Sequence, residues 1–256
     1  MSPESEDDAL ARTRARVAGA SKIVAFTGAG ISAESGIPTY RDCDDSLWRR
    51  YDPDLFANID VFMRDSTYYW NFFKDVRYQV ISSARPNPGH EALAEMERAG
   101  KLSAVITQNI DGLHRAAGSR RVIELHGNTR RISCLACSRT YSMEEVREQL
   151  ETELPPPCRI CGGKLKPDVV FFGEQLPQAA LSEAARVLAE CDLLLAIGSS
   201  LQIYPAAGMP QQAKLGGAGL VIINKTPTPY DDFADELLPH AAGEVLPLLA
   251  DAVSER

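Results

Sequence analysis

Residues 134–161 read CLACSRTYSMEEVREQLETELPPPCRIC and carry two Cys-x-x-Cys pairs, Cys134 with Cys137 and Cys158 with Cys161. Each short pair can present two thiolates to one ion, and two pairs complete the tetrahedral sulfur set of a structural zinc site. The alternatives are two disulfides or four unrelated cysteines. We therefore predict a zinc ribbon over residues 128–166, inserted into a larger α/β domain whose flanking segments meet around a cleft.

The composition is that of an ordinary globular protein, with 256 residues of which 45% are hydrophobic and 24% are charged. The formal net charge of −8 argues against a broad surface for nucleic acid or for an anionic membrane. No apolar run approaches membrane-spanning length, and the start, MSPESEDDALARTR, lacks the apolar core of a signal peptide. With four of six cysteines assigned to a metal, the sequence predicts a reducing, cytoplasmic location. Cys191 is expected in the core, and Cys43 receives no role.

Apolar strands alternate with helices on both sides of the ribbon, which favours a doubly wound parallel sheet. Ligands of such sheets bind beyond the carboxyl ends of the strands, and here Gly, Asn, Ser and His follow five strands. The middle segment, from Asp42 to Arg85, is helical but broken, with clustered aromatic residues. The expected strands cover residues 22–27, 102–107, 122–125, 193–197 and 220–223, an extended segment covers 167–173, and helices cover 10–20, 90–100 and 181–190.

A glycine motif, Gly28-x-Gly30-x-x-Ala33, follows the first strand and matches the dinucleotide-binding fingerprint. The glycines allow a tight turn and let backbone N–H groups approach a pyrophosphate. A purely structural glycine turn is the alternative. A redox enzyme would also place an acidic residue at a second strand end about twenty positions later, and that residue is missing here.

The cluster Gln108-Asn109-Ile110-Asp111 follows the second strand. An Asx turn with Asp111 near a helix start is one interpretation. Equally, two amides and a carboxylate could bind a carboxamide and a sugar.

His126 ends the third strand and precedes Gly127, so it lies at a strand mouth where a near-neutral base can act. Position alone leaves a catalytic and a structural role equally open. His90 and His114 are expected to be structural, and His240 has no motif.

Taken together, the motifs resemble those of the sirtuins, the NAD-dependent protein-lysine deacylases, and most of all their bacterial members. The segments that carry the resemblance are GAGISAESGIPTYR, TQNIDGLH, ELHGN, CLAC…CRIC, PDVVFFGE, GSSLQIYPA and INK, in the family's order, from about residue 14 to residue 249. The resemblance implies a Rossmann-type NAD-binding domain formed by residues 1–42, 85–127 and 167–256. A small domain would consist of a helical module, residues 43–84, and the zinc ribbon, residues 128–166.

The resemblance also implies roles for matching residues. His126 would be the general base, with Asn109 and Asp111 also catalytic. Val170, Phe171, Phe172 and Gly173 would line the acyl-lysine tunnel, and the peptide would add as a strand between them and Gln202, Ile203 and Tyr204. The cofactor-binding residues would be Gly28, Ala29, Gly30, Ser32, Tyr40, Arg41, Gln108, Asn109, Ile110, Asp111, Gly198, Ser199, Ser200, Asn224, Lys225 and Ala242.

The implied reaction cleaves NAD to nicotinamide and transfers the acyl group to ADP-ribose, giving O-acyl-ADP-ribose and free lysine. Acyl-lysine proteins would be the partners, without a membrane or nucleic acid. The zinc, with four cysteine ligands and no open position, would be structural. The alternatives are a protein mono-ADP-ribosyltransferase, a dehydrogenase and a nucleic-acid-binding zinc protein.

Two positions bear on details of the resemblance. Tyr40 stands where the family usually has phenylalanine. Family members that prefer succinyl-lysine or malonyl-lysine carry Tyr-x-x-Arg, and here Lys74 and Arg77 occupy the corresponding places. The alternative is a solvated face of Lys74 and Arg77 with Phe72, Phe73 and Val76 in the core. We therefore expect acetyl-lysine, with longer aliphatic acyl groups tolerated, over succinyl-lysine.

Overall fold

A computed structural model describes residues 6–39 and 51–254. Its larger sheet has six parallel strands in the order β3-β2-β1-β7-β8-β9. These are β1 Ile23–Thr27, β2 Leu102–Thr107, β3 Val122–Glu124, β7 Leu193–Ile197, β8 Gly219–Ile223 and β9 Glu236–Leu238. The predicted α/β fold with a parallel sheet is confirmed, and the carboxyl ends of the five predicted strands lie on one edge.

Helices cover both faces of this sheet, because alternate residues of each strand point to opposite sides. Ile23 and Ala25 of β1 belong to one apolar core, and Val24 and Phe26 belong to the other. The first core is closed by α1 (Glu6–Gly19), α6 (Pro88–Arg98) and α11 (Ala242–Ser254). The second is closed by α9 (Gln178–Glu190) and α10 (Met209–Leu215).

A smaller antiparallel sheet, ordered β5-β4-β6, lies in the segment with the four cysteines. Its strands are β4 Gly127–Cys134, β5 Thr140–Ser142 and β6 Leu165–Val169, with α8 (Met143–Leu150) after β5. Ser142 begins α8 with a capping box, its hydroxyl accepting the N–H of Glu145.

The helices between residues 53 and 83 pack on this smaller sheet. They are α2 Pro53–Phe56, α3 Ile59–Arg64, α4 Thr67–Phe72, a π-helical turn Phe73–Arg77 and α5 Tyr78–Ser83. Phe62, Trp70 and Phe73 share a buried core with Ile132 and Val146. The two segments of the predicted small domain are therefore in contact, while the exact domain boundaries stay a prediction.

Local details differ from the expectations. The loop after β1 forms a 3₁₀ helix, Ala29–Ser35, and β9 was not predicted because its three residues show no long apolar run. Residues 167–173 are extended only as far as Val169. Further short helices are α7 Leu113–Ala116 and the 3₁₀ turns Ala206–Gly208 and Asp231–Phe233. Within the described ranges, no helix is both long and apolar enough to cross a bilayer.

Candidate active site and zinc site

A cleft of about 580 Å³ opens at the carboxyl ends of β1, β2, β3 and β7. Its lining includes strand-end residues and the segment after β6. Of the predicted residues, the cleft is lined by Gly28, Ala29, Gln108, Asn109, Ile110, His126, Val170, Phe171, Phe172, Gly173, Gly198, Ser199, Ser200, Ile203 and Tyr204.

The glycine loop packs directly against the loop after β7. The N–H of Gly30 donates to the carbonyl of Gly198 at 2.8 Å. A Cβ on Gly30 would lie 2.6 Å from the Gly198 Cα, so a side chain there would separate the loops. Gly198 also has φ +58°, in the left-handed region that favours glycine. These glycines are therefore required by loop packing, whatever the loop binds.

Asn109, Ser32 and Asp111 form one buried hydrogen-bond network beneath the cleft. Asn109 Nδ2 donates to the carbonyl of Gly28 at 3.0 Å and to Ser32 Oγ at 3.1 Å. Ser32 Oγ in turn donates to Asp111 Oδ2 at 2.8 Å. The network joins the end of β2 to the 3₁₀ helix after β1, so it fixes the polar cluster relative to the glycine loop.

Asp111 makes the predicted Asx turn as well. Its Oδ1 accepts the N–H of Leu113, at the start of α7, at 2.8 Å. The carboxylate is buried, and burial raises its pKa against the opposing effect of these hydrogen bonds and of Arg130. The Asx turn, one of the two alternatives left by the sequence, is therefore confirmed, and a binding role for Asp111 stays a prediction.

His126 is held by the backbone of the neighbouring strand end. Its Nδ1 lies 2.9 Å from the carbonyl oxygen of Gln108. A carbonyl only accepts, so Nδ1 carries the proton and Nε2 is left as a proton acceptor. Burial lowers the pKa of His126, although the Gln108 carbonyl opposes the shift. The geometry is that of a neutral imidazole suited to act as a base.

The two histidines expected to be structural are buried behind the network. His90 Nδ1 accepts the N–H of Asn87 in a capping box at the start of α6, and burial lowers its pKa to about 4. His114 Nε2 lies 2.9 Å from Thr27 Oγ1, and its pKa is also lowered by burial. Sequence reasoning missed Asn87 and Thr27, although Asn87-Pro88 is a recognisable helix start.

We call residues 170–174 the wall loop, because all five of them line the cleft. The N–H of Val170 donates to the carbonyl of His126 at 2.9 Å. Phe172 exchanges backbone hydrogen bonds with the helical segment, donating to Ala57 at 2.8 Å and accepting from Ile59 at 3.0 Å. The wall loop is thus joined to both the strand edge and the helices.

Arg77 lies in the cleft lining, which sequence reasoning did not favour. It is buried, and its guanidinium carbon lies 5.3 Å from the centre of the Phe72 ring. The solvated face is therefore wrong for Arg77, because the π-helical turn rotates this residue inward. Lys74 is half-buried, donating to the carbonyl of Leu150 at 3.1 Å and pairing with Glu151 at 2.9 Å.

Several predicted residues lie elsewhere. Gln202 is exposed and does not line the cleft. Asn224 follows β8, where its Nδ2 donates to the carbonyl of Thr226 at 2.7 Å, and Lys225 is next to it. Ala242 is buried at the start of α11. Tyr40, Arg41 and Cys43 lie outside the described residues, and Cys191 is buried as predicted.

The four cysteine sulfurs converge, all within 4.8 Å of one another. Cys134 and Cys161 lie 3.5 Å apart and Cys137 and Cys158 lie 3.7 Å apart, far beyond a disulfide bond. A tetrahedron with Zn–S distances of about 2.3 Å has sulfurs about 3.8 Å apart, so the donor set fits zinc.

The model of the Sir2 family matches residues 28–205, which span the glycine loop, the strand-end cluster, the cysteines and the wall loop. The chain belongs to the Sir2 family. This confirms the family predicted from the motifs, and Sir2 relatives match it over nearly their whole length.

Three relatives illustrate the similarity of the Sir2 sequences. An NAD-dependent protein deacylase 2 of Archaeoglobus fulgidus is 46% identical over 248 residues, covering 96% of this chain and 97% of the relative. An NAD-dependent protein deacylase 2 of Pyrobaculum aerophilum is 48% identical, covering 91% of each chain. An NAD-dependent protein deacetylase of Thermodesulfovibrio yellowstonii is 44% identical, covering 90% of each.

Solved Sir2 structures share the fold. One, described as a structural basis for the mechanism and regulation of Sir2 enzymes, has a TM-score of 0.90 at 46% identity and covers 97% of this chain and 98% of its own. A complex of Sir2 with a p53 peptide and NAD⁺ has a TM-score of 0.87 at 38% identity, covering 94% and 97%.

Proposed function

We propose that this Sir2 protein is an NAD-dependent protein-lysine deacylase, which cleaves NAD and transfers the acyl group of an acyl-lysine to ADP-ribose. The observation that carries the proposal is one cleft in which a neutral His126 faces the apolar wall loop beside the glycine loop. The names of the relatives, NAD-dependent protein deacylases and deacetylases, support the same reaction.

The residues at the strand ends suit NAD. The close approach of the glycine loop to the loop after β7 leaves backbone rather than side chains facing the cleft, which suits phosphate groups. Gln108 Nε2 donates to Ser199 Oγ at 2.9 Å, so amide and hydroxyl groups are fixed beside that backbone. We assign Asn224, Lys225 and Ala242 to the adenosine half, and NAD, when bound, supplies the ribose that accepts the acyl group.

Within the cleft, each polar group has a separate task. His126 Nε2 accepts a proton from a ribose hydroxyl, since Nδ1 already donates to the Gln108 carbonyl. Asn109 and Asp111 are held by Ser32 and the backbone, so they orient sugar and carboxamide without reorganising. The apolar wall loop excludes water from the acyl group.

The substrate peptide is expected along the wall loop. The N–H groups of Val170, Phe171 and Phe172 all donate to acceptors within the protein, whereas the N–H of Gly173 has no acceptor among the described residues. We therefore propose Gly173 as the residue whose backbone pairs with the peptide, with Ile203 and Tyr204 on the other side. Solved Sir2 relatives hold p53 peptides, one of them deacetylated beside 3'-O-acetyl ADP ribose.

The cysteine site is assigned to structural zinc. Four thiolates leave no coordination position for water or substrate, so no catalytic step is assigned to the metal. The net charge of −8 supports the absence of direct nucleic-acid binding.

The test is nicotinamide release from NAD in the presence of an acetyl-lysine peptide. The expected result is one free nicotinamide for each deacetylated peptide, and none with the unmodified peptide. ADP-ribose found covalently on the peptide would indicate a mono-ADP-ribosyltransferase instead, and NADH absorbance would indicate a dehydrogenase.

A further inference from the structure

Lys166 is a buried cation on β6, behind the wall loop and outside the lining of the cleft. Its side chain is 9% exposed. A buried ammonium is stable only where acceptors replace its water, so its partners show what it holds in place.

Among the residues that the structure describes, every close partner of this ammonium belongs to β6 or to the wall loop. Nζ donates to the carbonyl of Val169 at 2.7 Å and lies 2.9 Å from Glu174 Oε2. It also lies 4.3 Å from the centre of the Phe171 ring. The cation therefore contacts Val169, which precedes the wall loop, and Phe171 and Glu174 within it.

Glu174 links the Lys166 ammonium to the backbone of Phe171. Its Oε2 accepts the N–H of Phe171 at 2.8 Å, and its own N–H donates to the carbonyl of Phe171 at 3.0 Å. Gly173 makes the intervening turn with φ +89°. One carboxylate oxygen is thus shared between the Lys166 ammonium and the Phe171 backbone.

Phe171 transmits this arrangement to the cleft. Its ring packs against Phe62 and Tyr69 with centroid separations of 5.2 and 4.8 Å, and Phe171 is also one of the residues that line the cleft. A shift of the Phe171 backbone would change both the width of the acyl tunnel and the orientation of Gly173.

We propose that Lys166, together with Glu174, is a positioning residue that fixes the wall loop for the acyl-lysine substrate. The inference rests on the proposed deacylase function. The ammonium does not touch the substrate, and it acts by fixing Phe171 and the turn at Gly173. Its loss should affect peptide binding while leaving NAD binding intact.

The test replaces Lys166 by methionine, which keeps the apolar stem and removes the cation. We expect KM for an acetyl-lysine peptide to rise about tenfold or more, since small displacements of positioning groups have large effects. The Kd for NAD, measured by calorimetry without peptide, should stay within about twofold. The matched control is Val146→Ala on α8, which creates a cavity in the same core. It should lower the stability and leave KM unchanged.

Amide exchange at Phe171 gives a readout that does not depend on activity. In Lys166→Met this exchange should accelerate about tenfold or more, and in Val146→Ala it should not exceed the change expected from the stability loss. If Lys166→Met does not fold, Glu174→Gln should give the same acceleration. Unchanged exchange would overturn the inference, as would faster exchange with an unchanged KM. An inactive wild type would instead refute the proposed function, and with it the role toward substrate.

Discussion

Removal of the His126 imidazole tests the assignment of the base most directly. General bases typically contribute about 10²–10⁴-fold to a rate, which corresponds to about 3–5 kcal/mol of transition-state stabilisation. The folded state loses much less, because within the described part of the chain this side chain makes one hydrogen bond, to the Gln108 carbonyl. Such a bond contributes about 0.5–1.5 kcal/mol, and the carbonyl can be hydrated from the cleft.

The expected result for His126→Ala is therefore a loss of about 10²-fold or more in deacylation with a melting temperature only a few degrees lower, about 1–4 °C. The assay is single-turnover formation of O-acyl-ADP-ribose, with NAD binding measured separately. Thr13→Ala is the control, since it removes a side-chain bond to the Ala9 carbonyl of 2.9 Å on α1.

The pH profile adds a second check. Burial lowers the pKa of His126 below its usual 6.5, so the imidazole stays neutral and the wild-type rate should stay flat as pH falls from 8 to about 6.5. The stability of the fold should also depend on this pKa. The unfolded state binds the proton at a higher pH than the folded state does, so the stability falls as pH drops below about 6.5. Near wild-type turnover by His126→Ala would refute the assignment.

Three further changes test other parts of the molecule. Cys134→Ala should lose zinc together with activity and should have a lower melting temperature, since structural zinc contributes roughly 10 kcal/mol in small modules. A zinc-free variant with wild-type stability would contradict this. Asp111→Asn should impair nicotinamide exchange. Because burial raises the pKa of Asp111, the wild type should lose stability as pH rises above about 4, and the variant should not show this loss. The difference between their unfolding curves measures the effect. The wild type and Arg77→Met are both expected to prefer an acetyl-lysine peptide over a succinyl-lysine peptide in kcat/KM. A tenfold succinyl preference in the wild type, abolished in the variant, would show this expectation to be wrong.

The sheet was predictable because its strands are buried on both faces and so appear as continuous apolar runs. The zinc site was predictable because two Cys-x-x-Cys pairs at this spacing present four thiolates to one ion. Strand β9, Glu236–Leu238, was not predicted because distant contacts stabilise it. Arg12 and Arg16 of α1 form ion pairs with its buried Glu236. Contacts between segments more than 200 positions apart leave no local pattern.

Within the site, the strand-end rule identified Gln108, Asn109 and His126 because ligands of parallel sheets bind at that edge. It could not identify Lys166, which lies inside β6, or Thr27, the last residue of β1, because neither residue follows a strand. Arg77 was misjudged for a related reason. The residues around it have helical spacing, and a helix would place it with Lys74, whereas the π-helical turn changes the rotation per residue.

Loop packing and the geometry of the polar cluster depend on the same contacts in this protein. Gly30 must be glycine for the loops after β1 and β7 to touch, and only then can Ser32 lie between Asn109 and Asp111. The hydrogen bonds that fix the polar cluster are thus formed inside the protein, by atoms that the ligand does not replace. A buried carboxylate with a raised pKa is a stability cost that packing alone would not retain. Its presence beneath a cleft with a neutral base supports the proposed role of Asp111 in the reaction.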